Sequence, residues 1–126
     1  MSNFSNASNT SNPSNASNVI ELNDTNFDSA IQNSSMPVVV KFGASWCGPC
    51  RMMNPIFSQI ADDYVGKVKV CEIDIDKNIE TVSKFDIMSV PTIIVFFNGA
   101  VQERMIGARS KDELISVVEN CLSGQS

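Results

Sequence analysis

The segment that most constrains the fold is a short apolar run followed closely by an amphipathic stretch. Val38–Phe42 is almost continuously apolar and rich in β-branched residues, which is typical of a strand buried on both faces of a sheet. A helix is predicted to follow, from Trp46 or Cys47 to about Tyr64, and Pro55 is expected to kink it because proline lacks the backbone N–H donor. A buried strand that leads into a helix in this way predicts an α/β fold.

Signals for strands and helices alternate through the rest of the chain. Strands are predicted at Val19–Leu22, Val68–Ile75, Thr92–Phe97 and Val101–Ile106, and helices from the Asn23–Thr25 cap through Ile31, around Ile79–Phe85 and after Ser110. The last two strands flank Asn98-Gly99, a strong signal for a two-residue hairpin, and Ser110 with Glu113 predicts a capping box. The order predicts one central mixed sheet of five strands, flanked by four helices.

The first 18 residues differ in composition from the remainder. The dipeptide Ser-Asn recurs six times between residues 2 and 18, and the repeat contains no charged residue. A segment with so few apolar side chains buries too little surface to offset the chain entropy that is lost on folding. We therefore expect residues 1–18 to be a disordered tail and residues 19–126 to form one domain.

Composition excludes several classes of function. The net charge of the 126-residue chain is -5, so it would repel the phosphates of nucleic acids and anionic membranes. The sequence contains no histidine, which removes imidazole bases and the commonest metal ligand. The N-terminus has neither the cationic nor the apolar region of a secretory signal, and no apolar stretch is long enough to span a membrane. We expect a cytoplasmic protein with reduced cysteines, and partners other than nucleic acid or membrane.

Cys47 and Cys50 carry most of the functional information. They are separated by Gly48 and Pro49 and lie where the buried strand passes into the helix. At a helix start, the first sulfur lies near unpaired N–H groups and the positive end of the helix dipole, which stabilises a thiolate. The spacing predicts dithiol–disulfide chemistry in which Cys47 attacks as the nucleophile, and Cys50, which is expected to be more shielded, resolves the mixed disulfide.

Two other interpretations of this pair compete with redox chemistry. A zinc site would need two further ligands, which only Cys71 and Cys121 could supply; one is predicted mid-strand and the other on a helix face, so the coordination would be strained. Two structural cysteines in a core would leave the Gly-Pro spacer and the flanking Trp46 unexplained. We expect no metal, and we expect Cys71 and Cys121 to behave as small buried hydrophobic residues.

The segment from Phe42 to Met52, which contains Trp-Cys-Gly-Pro-Cys, strongly resembles the thioredoxin family. The resemblance covers residues 19–126 and continues in Pro55, Asp74-Ile75-Asp76, Val90-Pro91-Thr92, Asn98-Gly99 and Gly107-Ala108. It implies the thioredoxin fold, with Pro91 as the cis-proline that faces the two cysteines. It also implies a flat apolar surface that receives protein substrates, made by Trp46, Gly48, Pro49, Val90, Pro91, Gly107 and Ala108.

The function that this resemblance implies is that of a protein-disulfide reductase that maintains cellular redox homeostasis. No bound cofactor is needed because the two sulfurs carry the electrons, and an NADPH-dependent thioredoxin reductase would restore the dithiol. The expected partners are that reductase and disulfide-containing proteins, and the expected state is a monomer. Three rival classes stay open: an oxidant or isomerase of the same fold, a binding module whose dithiol is incidental, and a zinc protein.

One position departs from the family pattern. Thioredoxins usually have a buried aspartate at this position, and that aspartate is thought to assist deprotonation of the second cysteine. This chain has Lys41 instead. The facing position on the neighbouring strand is often lysine in bacterial members, and it is Glu72 here. Lys41 could extend to an edge with Glu72 solvated, or the two could pair beneath Cys50. In the paired arrangement Glu72 could accept a proton, while the Lys41 ammonium would favour the Cys50 thiolate and make the redox couple more oxidising.

Overall fold

Five strands form one mixed sheet in the computed structural model, which describes residues 18–124. The strands are β1 (Ile20–Leu22), β2 (Val38–Gly43), β3 (Lys69–Asp74), β4 (Thr92–Phe97) and β5 (Ala100–Ile106). Their order across the sheet is β1-β3-β2-β4-β5. Strands β1, β3 and β2 pair in parallel, whereas β4 is antiparallel to both β2 and β5. The predicted mixed five-stranded sheet is confirmed.

The helices lie on both faces of this sheet. They are α1 (Phe27–Gln32), α2 (Gly48–Met52), α3 (Asn54–Asp63), α4 (Ile79–Lys84) and α5 (Lys111–Ser123). The helix predicted between Trp46 and Tyr64 is divided at Met53 into α2 and α3. If this pair is counted as one broken helix, four helices flank the sheet, as predicted. The interruption predicted from Pro55 is confirmed. The helix breaks at Met53, two residues before Pro55, which lies in the first turn of α3, where its missing N–H removes no hydrogen bond within that helix.

Two hydrophobic cores separate the helices from the sheet. Helices α3 and α5 pack on one face, where the core includes Val39, Phe57, Ile60, Val70, Ile93, Val95, Leu114 and Val118. Helices α1 and α4 pack on the other, where the core includes Phe27, Ile31, Val38, Val40, Phe42, Cys71, Ile73, Ile94 and Phe96. All six residues of β2 are buried, because successive side chains of this central strand point into the two cores alternately. The strand predicted to be buried on both faces is therefore confirmed.

The repeat at the start of the chain lies largely outside the described residues, so the predicted tail stays a prediction. Of residues 1–18, the structure describes Asn18 alone. The Asn18 side-chain amide donates a hydrogen bond of 2.8 Å to the carboxylate of Asp62 at the end of α3. This contact places the start of the described chain beside α3.

Two local sequence signals are confirmed in the second half of the chain. Asn98 and Gly99 join β4 to β5 with φ angles of 54° and 79°, the pair of positive values that a type I′ hairpin turn requires. The Ser110 hydroxyl accepts the backbone N–H of Glu113 at 3.1 Å, and the Glu113 carboxylate accepts the backbone N–H of Ser110 at 2.9 Å. These two bonds complete the capping box of α5.

Replacing Ser110 with alanine is expected to lower the free energy of unfolding by about 1 kcal/mol, because an unpaired N–H is left at the start of α5. The measurement is urea unfolding of the variant and of Ser116→Ala, an exposed serine within the same helix, which should be nearly neutral. Hydrogen bonds from Ser110 hold the pKa of Glu113 below its ordinary value of 4.5. The ionised Glu113 carboxylate therefore stabilises the folded protein above about pH 4.5. This stabilisation is lost as the pH falls through the lowered pKa of Glu113. Equal losses in the two variants would contradict the assignment of the cap.

Candidate active site

The two cysteines of the Cys-Gly-Pro-Cys segment lie at the start of α2, just after β2 ends. Cys47 is the N-cap residue of this helix, and it forms a disulfide with Cys50, with 5.3 Å between the two Cα atoms. The Cys47 sulfur also accepts the backbone N–H of Cys50 at 3.1 Å. The first sulfur thus lies among the free N–H groups of a helix start, in the position that the sequence predicted. A negative charge that develops on Cys47 is stabilised by these donors.

Exposure does not distinguish the two cysteines, contrary to the expectation that Cys50 is more shielded. Cys47 is 4% exposed and Cys50 is 3% exposed, because the disulfide joins both side chains in one small ring. The difference lies in what surrounds each sulfur. A Cβ atom on Gly43, the last residue of β2, would lie 3.2 Å from the Cys50 sulfur. The glycine therefore makes room for the second sulfur directly against the strand.

A second segment lies beside the disulfide on the side of β4. The peptide bond between Val90 and Pro91 is cis, and Val90 packs against Cys47, Cys50 and Ala44. The Pro91 carbonyl accepts the backbone N–H of Gly107 at 2.8 Å, and Gly107 has a φ of 94°, which glycine adopts without strain. The structure thus brings together three of the residues predicted for the substrate surface.

The remaining residues of the predicted substrate surface come from the loops beside these segments. Trp46 is 63% exposed, so it does not pack in the core, and its indole N–H donates a hydrogen bond of 2.8 Å to Asp76. Pro49 and Ala108 are exposed, and Gly48 is half-buried. An indole ring held by one hydrogen bond and otherwise open to solvent offers an apolar contact to an incoming chain.

Lys41 is buried beneath α2 and pairs with Glu72, so the alternative in which it extends to a solvent-exposed edge is wrong. Lys41 and Glu72 face each other in the register between β2 and β3. Lys41 is 3% exposed, and its Nζ lies 3.7 Å from a carboxylate oxygen of Glu72, whose side chain is 45% exposed. Burial lowers the pKa of Lys41 from its usual value, and the carboxylate of Glu72 opposes that effect. Of the two arrangements considered from the sequence, the paired one is present.

The lysine also contacts the active-site helix directly. Its Nζ donates a hydrogen bond of 3.3 Å to the carbonyl oxygen of Cys50 and another to the side-chain oxygen of Asn54. Asn54 was not identified from the sequence. The available signal was its position four residues after Cys50, on the same side of the single helix predicted there. That signal became informative only once Lys41 was located.

A cleft of about 320 Å³ opens from this buried lysine to the surface. Its lining includes Glu21, Lys41, Cys50, Asn54, Glu72 and Asp74. The cleft lies behind the disulfide, on the face of the sheet that carries α2 and α3. The Lys41–Glu72 pair and the second cysteine thus line the same cleft.

The other two cysteines are separated from the site and from each other. Cys71 lies in the core beneath α1 and α4, while Cys121 packs against the core beneath α3 and α5. Burial raises the pKa of the Cys71 thiol to about 12 and also raises the pKa of Cys121. Within residues 18–124, no group of three or more His, Cys, Asp or Glu side chains is arranged to hold a metal ion. The sheet between Cys71 and Cys121 explains why they cannot complete a zinc site with the active pair.

Comparison with known proteins identifies the family. A model of the thioredoxin family matches residues 18–120. The chain belongs to the thioredoxin family. It is 39% identical to a thioredoxin of Staphylococcus saprophyticus over 104 residues, which are 82% of this chain and 98% of that protein. It is 46% identical to a thioredoxin of Alicyclobacillus acidocaldarius over 93 residues, which are 74% of this chain and 88% of that protein.

The thioredoxin fold and the thiol–disulfide chemistry predicted from the sequence are confirmed. A thioredoxin of Haemophilus influenzae is a further relative, 36% identical over 100 residues that cover 79% of this chain and 94% of its own. The protein is thus a thiol–disulfide oxidoreductase of the thioredoxin type, with Cys47 and Cys50 as its disulfide pair. Thioredoxins carry out this exchange without a prosthetic group, because the two sulfurs hold the electrons. Among residues 18–124, no helix has both the length and the apolar character needed to cross a membrane.

Proposed function

We propose that this thioredoxin is a cytoplasmic, monomeric reductase of protein disulfides, which receives its electrons from NADPH through a thioredoxin reductase. The observation that carries the proposal is the position of Cys47, a sulfur at a helix start that accepts a backbone N–H. Such a sulfur ionises readily and attacks disulfides. A reductant of this kind works in a compartment whose thiols are kept reduced, and the cytoplasm is such a compartment.

The reaction follows from the two sulfurs and exchanges one disulfide for another. The Cys47 thiolate attacks a sulfur of the substrate disulfide, and the other substrate sulfur leaves as a thiolate. The Cys50 thiolate then attacks the Cys47 sulfur of this mixed disulfide, so that the second substrate sulfur leaves and the Cys47–Cys50 disulfide forms. Two electrons pass from the protein to the substrate, and the two released thiolates take up the protons that the protein thiols have lost.

The substrate binds the surface around the disulfide in this proposal. That surface is shallow and combines an exposed indole with backbone-rich segments: Trp46, Gly48, Pro49, Val90, Pro91, Gly107 and Ala108. An open surface of this kind selects for an accessible disulfide with apolar flanks rather than for one small molecule. A monomer leaves it open to proteins of different shapes and to the reductase.

The test is reduction of insulin disulfides in the presence of NADPH and a bacterial thioredoxin reductase. The wild-type protein should sustain turnover, whereas Cys47→Ser should lose the activity by a factor on the order of 1000 because the nucleophile is gone. Cys121→Ser is the matched control, since it removes a thiol away from the site, and it should keep the wild-type rate. A Cys47→Ser protein that still reduces insulin would refute the proposal, as would a redox potential more oxidising than that of the glutathione pool.

A further inference from the structure

The contacts of the Lys41 nitrogen are those of a protonated amine. Three oxygen atoms surround it: the Cys50 carbonyl oxygen at 3.3 Å, the Asn54 side-chain oxygen, and a Glu72 carboxylate oxygen at 3.7 Å. An ammonium group has three N–H donors and no acceptor, whereas a neutral amine has two donors and a lone pair. The nitrogen also lies 5.3 Å from the centre of the Phe57 ring, a contact that favours a cation. The Glu72 carboxylate and the Phe57 ring thus both favour the ammonium form of this buried lysine.

This charge lies close to the second sulfur of the active site. The Lys41 nitrogen bonds to the carbonyl of Cys50 itself. The Cys50 sulfur lies against Gly43, which is two residues beyond Lys41 and so on the same face of β2. The ammonium and the sulfur thus share the narrow space between this strand and the start of α2.

Four other charged groups line the same cleft. Glu21 comes from β1, Glu72 and Asp74 come from β3, and Arg51 comes from α2. Glu72 is close to half-exposed, and Glu21 and Arg51 are exposed, so water screens their effect on the sulfur. Asp74 is half-buried, and its carboxylate accepts the backbone N–H of Asp76 at 2.8 Å. Lys41 is buried, and its field is screened least. Its positive charge therefore dominates at Cys50.

We infer that Lys41 is a positioning residue whose ammonium stabilises the Cys50 thiolate during resolution of the mixed disulfide. This inference rests on the proposed function and concerns its second step. The Cys50 thiol gives its proton to water in the cleft, and the resulting thiolate attacks Cys47 while the substrate sulfur leaves with the electron pair of the broken bond. Glu72 and Asn54 hold the ammonium in place. Because a stabilised thiolate favours the reduced dithiol, the same contact makes the redox couple more oxidising than it would be without the lysine.

The experiment measures the ionisation of Cys50 directly. Cys47→Ser protein is titrated by the ultraviolet absorbance of its thiolate, and the signal of Cys71 and Cys121 is subtracted with a variant that lacks both active-site cysteines. Lys41→Met and Lys41→Gln remove the charge, and either variant suffices if the other does not fold. Two variants serve as controls. Lys41→Arg keeps the positive charge at the site, and Lys84→Met removes a positive charge from an exposed ion pair between α4 and Asp28 of α1.

The pH midpoint of Cys50 should rise by about one unit in Lys41→Met and Lys41→Gln, a tenfold change in the acid dissociation constant. It should stay near the wild-type value in Lys41→Arg and Lys84→Met. A midpoint that does not move in the neutral variants would overturn the inference, as would a shift in Lys41→Arg as large as that in Lys41→Met. Insulin reduction by the wild-type protein is a separate readout, so a failure of this inference is distinct from a failure of the proposed function.

Discussion

Replacing Cys50 with serine is expected to stop turnover and to leave Cys47 joined covalently to its substrate. The first attack needs only Cys47, so the mixed disulfide still forms. A serine hydroxyl does not displace a sulfur at neutral pH, so the substrate is not released by the second step. The rate of insulin reduction should fall by a factor on the order of 1000, and mass spectrometry under non-reducing conditions should find the protein bound to an insulin chain.

The other cysteines supply the controls for this trapping experiment. Cys71 lies in the core and its pKa is raised to about 12, so it cannot replace Cys50 as the resolving thiol. Adding Cys47→Ser to Cys50→Ser should remove the adduct, and Cys121→Ser added to Cys50→Ser should leave it. An adduct that maps to Cys121, or undiminished turnover in Cys50→Ser, would contradict the roles given to the two active-site sulfurs.

Replacing Phe27 with alanine is expected to destabilise the fold by about 3–5 kcal/mol. Phe27 is buried in α1, and its ring lies 5.4–6.1 Å, centre to centre, from the rings of Phe42, Phe85 and Phe96. Truncation removes one side of this aromatic cluster and leaves a cavity that three rigid rings cannot fill. Because small domains are stable by only about 5–15 kcal/mol, the loss should be plain in urea unfolding of the oxidised protein.

Phe27→Leu is the matched variant, since it keeps a large apolar side chain at the position. Its loss should be under about 1.5–2 kcal/mol, because most of the volume is retained. Since the cluster lies on the face of the sheet opposite α2 and α3, the Leu variant should keep the wild-type rate of insulin reduction. If alanine and leucine destabilised the protein equally, the ring contacts would not be the source of the stability.

The elements that the sequence predicted best are those specified by short-range signals. The hairpin at Asn98-Gly99 and the cap at Ser110 each depend on residues within a few positions of each other, and both were found where predicted. The doubly buried β2 was predicted from an apolar run that only Lys41 interrupts. The interruption near Pro55 was also predicted, but its exact position at Met53 was not, because proline indicates only that a helix is interrupted nearby.

Only part of the active site was predicted, because only some of its residues lie close together in the sequence. The Cys-Gly-Pro-Cys segment is contiguous, so its position at a helix start could be anticipated. The contact of Lys41 with Asn54 joins residues 13 positions apart in sequence. It exists because α3, which begins at Asn54, packs on the face of β2 that carries Lys41. The sequence alone indicated that Lys41 and Glu72 occupy facing positions, yet it could not decide between a buried pair and a solvated one.

The separation of the two remaining thiols by the sheet has a consequence for how the protein responds to oxidants. Four cysteines can in principle be joined completely in three different ways. In the folded domain Cys71 and Cys121 lie on opposite sides of a continuous layer of backbone, so a bond between them would require that layer to open. A bond between Cys71 and Cys121 is thus confined to unfolded chains. Oxidation of the native molecule can close the Cys47–Cys50 ring, which further rounds of exchange can reopen.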